Sequence, residues 1–301
     1  MGFKIRATGL VGARHAVPLL VILVAGGLEA ADGSYDPMVS ISTPALGAAT
    51  SAVSTYTWRA VPNTVLRDEE SLSYVVKWGL VTGGLSTLAI RGLVPVNGRP
   101  AYHIVSEARS GGMVSAFYRV EDHNEAWLDQ RAMVSVRYEK RIKEGMFRIE
   151  ESTLIDQPKR RFHLQSYRID KNLYEQKEGT LPPNVLDVLS SLYYVRVLPL
   201  EVGQSYTMDV LSGDKVYPLE VKVEKRETIK VPAGRFDTFR VEPLLRAPGI
   251  FIAKGKKLEV WLTADERHLP VRMRTEVFIG HVSAELLPPN TAPEMAHSTD
   301  N

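Results

Sequence analysis

The sequence predicts a mainly β protein: one large curved antiparallel sheet, a half-barrel or open barrel, with one or two covering helices. Three observations carry this. In EESLSYVVKWGLVTGG (69–84), Leu72, Tyr74, Val76, Trp78 and Leu80 fall on every second residue and so share one face of a strand that runs into Gly83-Gly84. The same alternation recurs toward the C-terminus, punctuated by turn residues such as Asn97-Gly98, Lys143-Glu144-Gly145 and Pro232-Ala233-Gly234. Helical spacing is confined to short stretches near 112–119 and 184–197.

Taken in order, the first thirty residues read as an address. Lys4, Arg6 and Arg14 precede the apolar run AVPLLVILV (16–24), and small residues follow at Ala25, Gly26 and Gly27. This is the order of a secretory signal peptide over 1–30, cleaved near Gly27 or Ala30, and it places the mature chain in the periplasm. The run is shorter than the roughly 20 apolar residues that span a bilayer, so no integral membrane span is expected in the mature chain; an uncleaved anchor is the alternative. LVAG (23–26) resembles a lipoprotein signal, but Gly26 stands where a lipoprotein needs Cys. The chain has no Cys at all, which also removes disulfides, thiolate metal sites and cysteine nucleophiles.

Residues 31–64 are rich in Ser, Thr, Ala and Pro and poor in large apolar side chains, so a flexible leader is expected there. Residues 65–287 mix apolar and charged residues evenly, enough for a single β-rich domain, with a short disordered tail over 288–301. Leu181-Pro182-Pro183 is the one candidate seam, but strand patterns continue on both sides of it. With 37 Lys and Arg against 35 Asp and Glu the formal charge is +2, so no bulk field is aimed at nucleic acid.

The strands follow one another closely. LSTLAIRGL and Ala101 to Arg109 flank Asn97-Gly98; Val134 to Ile142 and MFRIEESTLI flank Lys143-Glu144-Gly145. Further strands are expected at 161–169, 206–211, 217–231, 235–242, 257–263 and within 271–286, with one face wet over much of the sheet. The first helical stretch has Met113, Ala116, Phe117 and Val120 at helical spacing. The second runs Asn184 to Val197, with Asn184 as cap, Asp187 in the first turn and Val185, Val188, Leu189, Leu192 and Tyr193 as an apolar stripe. A lone helix with such a stripe must cover something apolar, most simply the curved sheet.

Four ordered segments, EESLSYVVKWGLVTGG (69–84), DVLSSLYYVRVLPLEVG (187–203), VPAGRFDTFRVEP (231–243) and VWLTADERHLPVRM (260–273), resemble the exported bacterial family known as domain of unknown function 3108. The resemblance covers nearly all of the domain and implies no activity. The pattern is also similar, more faintly, to the half-barrels of periplasmic lipoprotein carriers, an analogy of fold that does not carry function.

No catalytic constellation is visible: there is no HxxxH or HxH pair, GxSxG elbow or phosphate loop. Asp122-His123 with Glu125 is the nearest approach to an acid-base cluster, and Asp265-Glu266-Arg267 reads first as a solvated turn. Lys140-Arg141-Ile142-Lys143 and Lys159-Arg160-Arg161 could meet lipid phosphates, or simply keep strand edges and turns soluble. The expected function is therefore non-enzymatic, with no cofactor and no metal. One reading is a carrier of a lipid or other apolar small molecule, with Tyr74, Trp78, Leu189, Tyr193 and Trp261 as the cavity wall. In the other reading these are core residues and the protein is an envelope scaffold that binds a protein partner through its sheet. A hollow of about 300 Å³ or more under the helix separates the two.

Overall fold

The structure, a computed structural model, describes residues 56–245, 257–276, 280–289 and 291. The first 55 residues, and with them the expected signal peptide and most of the leader, lie outside the described residues, as does all of the tail beyond 291.

The chain builds outward from its first strand and then returns to it. Strands β1 (Glu70–Trp78), β2 (Val81–Val96) and β3 (Arg99–Ser110) are followed by a short helix α1 (Gly112–Phe117). Then come β4 (Val120–Asp129), β5 (Ser135–Glu144), β6 (Phe147–Asp156), β7 (Arg161–Arg168) and β8 (Leu173–Thr180). Each pairs antiparallel with the one before, a plain meander. After a two-residue strand β9 (Leu186–Asp187), helix α2 (Val188–Val197) crosses over to β10 (Ser205–Ser212), which lies parallel to β9. A second meander follows: β11 (Lys215–Val231), β12 (Gly234–Leu245), β13 (Leu258–Thr263), β14 (Pro270–Glu276) and β15 (His281–Leu286). β15 pairs with β1, so the described strands form one sheet of 15 with the two meanders as its wings.

The expected class is what the fold shows: a large curved sheet, not closed into a barrel, with two α-helices among the described residues. Register shifts recur at Val76/Lys77, Ile90/Leu93, Trp127/Leu128 and Val223/Lys225, and each such bulge bends its strand. The wings meet without a ladder between them. Ile155, Phe162 and Leu164 pack on Leu181, Val185 and Leu211, and Ser135 N donates to Val185 O at 3.2 Å.

Turn chemistry explains most boundaries. Asn97 (φ 50°) and Gly98 (φ 76°) take the left-handed pair that a two-residue hairpin needs, between Val96 and its partner Arg99. Gly234 (φ 139°) closes the β11–β12 hairpin opposite Val231 in a conformation that residues with a Cβ rarely adopt. Gly83-Gly84 is not a turn: both residues lie inside β2, and the reversal falls earlier, at Gly79-Leu80. A Cβ at Gly84 would collide with the Arg109 carbonyl oxygen and sit 2.9 Å from the Ser110 Cα, so this glycine permits close approach of β3.

The packed chain begins earlier than the composition suggested. Arg59 donates to the carbonyls of Ala132 and Met133 at 2.7 and 2.6 Å, and Asn63 Oδ1 accepts from Val65 N and Leu66 N at 3.0 and 2.9 Å. Residues 56–64 thus dock on the sheet rather than belonging to a free leader.

Candidate functional site

Helix α2 lies against the concave face. Its start is set by Asp187, not by Asn184, which occupies a left-handed turn (φ 62°) before β9. Asp187 Oδ1 accepts from Ser190 N at 2.8 Å, and Oδ2 accepts from the hydroxyls of Ser190 (2.6 Å) and Ser135 (2.5 Å). Burial pushes this carboxyl up while those hydrogen bonds pull it down.

Val188, Ser191, Leu192 and Val195 of α2 face Leu219 and Val221 of β11, Val241 and Pro243 of β12, and Leu258 and Val260 of β13 across an apolar groove of about 60 Å³. That volume is well below the roughly 300 Å³ at which small-molecule sites begin. None of the five residues expected to wall a cavity lines this groove.

Four of the five, Tyr74, Leu189, Tyr193 and Trp261, are buried in the main core. The Tyr74 hydroxyl donates to Pro270 O at 2.8 Å, and burial pushes both tyrosine phenols up. Trp261 is buried on the opposite face of β13 from Val260. Its Nε1 donates to Glu227 Oε1 at 2.9 Å, with the Arg272 and Arg274 guanidiniums over its ring. Trp78 lies outside the core: it stands 49% exposed at the end of β1.

The concave face of β3–β7 holds a feature the sequence reading missed. Ser106, Asn124, Lys140, Glu151 and Ser166 stand in register on successive strands. Tyr138 Oη donates to Asn124 Oδ1 at 3.2 Å, Lys140 Nζ pairs with Glu151 Oε2 at 2.7 Å, and Ser166 Oγ donates to Glu151 Oε1 at 3.2 Å. Lys140 is therefore an interior residue, not part of a surface basic cluster. The signal was present as polar residues at alternate positions, but alternation alone does not say which face is wet.

Beside this row lie two buried carboxyls, Asp122 of β4 and Glu144 of β5. Asp122 Oδ1 accepts from Lys143 N at 3.2 Å and Glu144 Oε2 from the Tyr118 hydroxyl at 3.2 Å. The hydroxyls of Ser86 and Ser106 have no hydrogen-bond partner among the described residues, and the two carboxyls hydrogen-bond to each other when one of them holds a proton. Burial, and the proximity of the other carboxyl, pushes Asp122 far above the usual carboxylate range. Burial pushes Glu144 up as well.

Strand alternation separates the Asp122-His123-Glu125 cluster. His123 and Glu125 lie on the convex face, where Glu125 bridges His103 Nε2 (2.7 Å) and His123 Nε2 (2.9 Å), and Glu107 Oε1 lies 3.2 Å from His123 Nδ1. Burial alone would raise Glu125; the two imidazoles more than offset it and hold the carboxyl below its ordinary range. The His103 ring stacks on Trp127, and Arg137 lies over the other ring of that pair, Trp127, at 4.7 Å. Among the described residues no group of three His, Cys, Asp or Glu side chains could hold a metal ion.

The sheet's two edges differ. β9 is two buried residues, already paired to β10 and tied to Ser135. β8 is eight residues, paired only on its β7 side in the strand order, and most of its side chains are exposed, Leu173 and Tyr174 among them at 46% and 55%. Lys177 Nζ reaches Asp214 in the β10–β11 turn at 3.1 Å.

These features define a class: a curved antiparallel-sheet protein with an internal helix, a polar concave row and one long open edge. Residues 73–287 match the model of the family described as Protein of unknown function (DUF3108), and the chain belongs to that family. No curated protein matches the chain in sequence. In shape it is similar to the crystal structure of a β-barrel-like protein of the domain of unknown function DUF1849 from Brucella abortus. That similarity has a TM-score of 0.48 at 8% identity and covers 76% of this chain and 97% of the other. It is also similar to a candidate exported protein with YmcC-like fold from Bacteroides fragilis, with a TM-score of 0.31 at 9% identity over 77% of this chain and 99% of that one. Among the described residues no helix is long and apolar enough to cross a membrane.

Proposed function

We propose that this is an exported, non-catalytic protein of the cell envelope that works as an interaction scaffold, engaging an extended protein segment along the open edge of β8. One observation carries the reading: among the described residues, a long unpaired edge in a sheet whose other edge is short and buried. An exposed edge offers a row of unpaired backbone donors and acceptors to an added strand. The groove beside α2 supports it further, because about 60 Å³ is less than an acyl chain needs. Export rests on the basic, apolar and small-residue order of residues 1–30.

The test is a photo-crosslinking side chain at Gln176 in cells. A protein adduct at this position, and none from the same probe at Val202 in an exposed turn, is the expected result. Absence of any adduct at Gln176 would sink the scaffold reading.

A second reading, carriage of an apolar ligand, is favoured by the lining of the groove, which is apolar apart from Ser191. It requires the groove to widen several-fold, and it predicts a lipid or other apolar molecule that stays with the protein through purification from envelopes.

A further inference from the structure

Resting on the scaffold reading, we infer that the strand added to β8 is β8 of a second copy of this chain, paired antiparallel about Gln176. Residues facing one another across an antiparallel ladder point to the same side, so a two-fold pairing must match odd with odd and even with even positions. That leaves few registers, and the charges of LYEQKEGT choose among them.

Centred on Gln176, the pairing sets Glu175 opposite the partner's Lys177 and Lys177 opposite the partner's Glu175. It also sets Tyr174 opposite Glu178 and Leu173 opposite Gly179, while the two Gln176 amides face each other. Centring on Glu175 instead stacks like carboxylates, and centring on Lys177 stacks like ammoniums, both destabilising when directly opposed. The edge charges therefore favour the Gln176-centred register over its two neighbours.

A charged side chain on the concave side of an edge strand ordinarily blocks pairing. Lys177 lies on that side, since it faces buried Leu164 of β7, but its charge is already balanced by Asp214 at 3.1 Å. Gly179 has no side chain to obstruct the partner's Leu173, because the space a Cβ would need is taken by Phe162, whose Cε1 would lie 2.5 Å from it.

The experiment uses the purified mature chain. Sedimentation equilibrium is expected to show a concentration-dependent dimer. Lys177→Glu alone and Glu175→Lys alone should each abolish it by opposing like charges twice, and the two changes combined should restore it; because Lys177→Glu also breaks the pair with Asp214, an unchanged circular-dichroism spectrum at the working temperature shows that each variant is folded. Because the chain has no cysteine, Gln176→Cys is an unambiguous reporter and should oxidise rapidly to a linked homodimer, whereas Val202→Cys should not. A monomer at all concentrations, or single reversals that dimerise like the wild type, overturns the inference. In envelopes, a Gln176 crosslink to a different protein with no homodimer overturns self-pairing while leaving the scaffold reading intact; no crosslink at all removes both.

Discussion

The guanidinium of Arg196, buried at the end of α2, is gripped on both nitrogens by Glu70 of β1, Nη1 to Oε1 at 2.7 Å and Nη2 to Oε2 at 2.9 Å. Arg196 Nη2 also donates to Arg267 O at 3.3 Å, and Arg196 O lies 2.7 Å from His268 Nδ1, which must carry the proton because a carbonyl only accepts. One buried ion pair thus joins three segments of the family resemblance: the first strand, the helix and the turn containing Asp265-Glu266-Arg267. That turn is a solvated Asx turn on its outer side, where Asp265 Oδ1 accepts from Arg267 N at 3.1 Å, and a structural clamp on its inner side.

Breaking this pair leaves a lone charge in the core. Arg196→Met or Glu70→Gln is expected to cost about 3–5 kcal/mol, a fall in Tm of about 2–4 °C for each kcal/mol in a domain of this size. Replacing both residues with apolar ones should cost less than either single change. Denaturant titration of the three variants checks this, and singles within about 0.5 kcal/mol of wild type would contradict it.

Asp122 and Glu144 set a pH dependence. Both carboxyls are pushed up in the folded state by burial, and each is affected by the other. In the unfolded chain they titrate near 4. Between that range and about 9, the value for Asp122, the folded protein holds protons that the unfolded chain has released. Stability therefore falls as pH rises through that window. Asp122→Asn should flatten the profile and unfold later than wild type at pH 8–9. Identical pH profiles for the two proteins would refute the assignment.

Gly83 and Gly84 make a paired test. Gly84→Ala drives a methyl into the β3 backbone and is expected to cost about 1–3 kcal/mol. Gly83→Ala meets only Val76 O at 3.7 Å and a Val114 methyl at 3.9 Å and should fall within about 0.5 kcal/mol of wild type. Equal effects would mean that β2 and β3 are not packed this closely.

The groove beside α2 predicts a gain. Val195→Leu adds one methylene toward a space of about 60 Å³, worth up to about 0.8 kcal/mol if it fits without strain. A loss of stability measured by the same titration would mean that the space is already filled.

Much of this fold was legible in residues. The β1 alternation, Asn97-Gly98, Lys143-Glu144-Gly145 and Pro270 at the start of β14 each mark an element the structure contains. What escaped follows a physical pattern. β4 was missed because its buried face includes Asp122 and Asn124, so hydropathy does not alternate with burial. β8 was missed because its exposed positions leave no apolar face, and only its hydrogen bonds to β7 make it a strand. The helix start moved from Asn184 to Asp187 because Ser135, 52 residues away, completes the cap. Trp78 shares the parity of Leu72, Tyr74 and Val76, but parity fixes the side of a strand and not how deeply a residue at its end is buried. Tyr74 and Tyr193 sit in the main core, with the Arg196 guanidinium over the Tyr193 ring, and neither lines the groove beside α2.

We propose binding along the edge of the sheet and not within it. Native mass spectrometry of the protein gently extracted from envelopes tests both halves together. The account predicts a protein–protein species that is lost in Lys177→Glu, with no small-molecule adduct on either form. Monomers carrying an adduct of lipid mass, unchanged by Lys177→Glu, would contradict it.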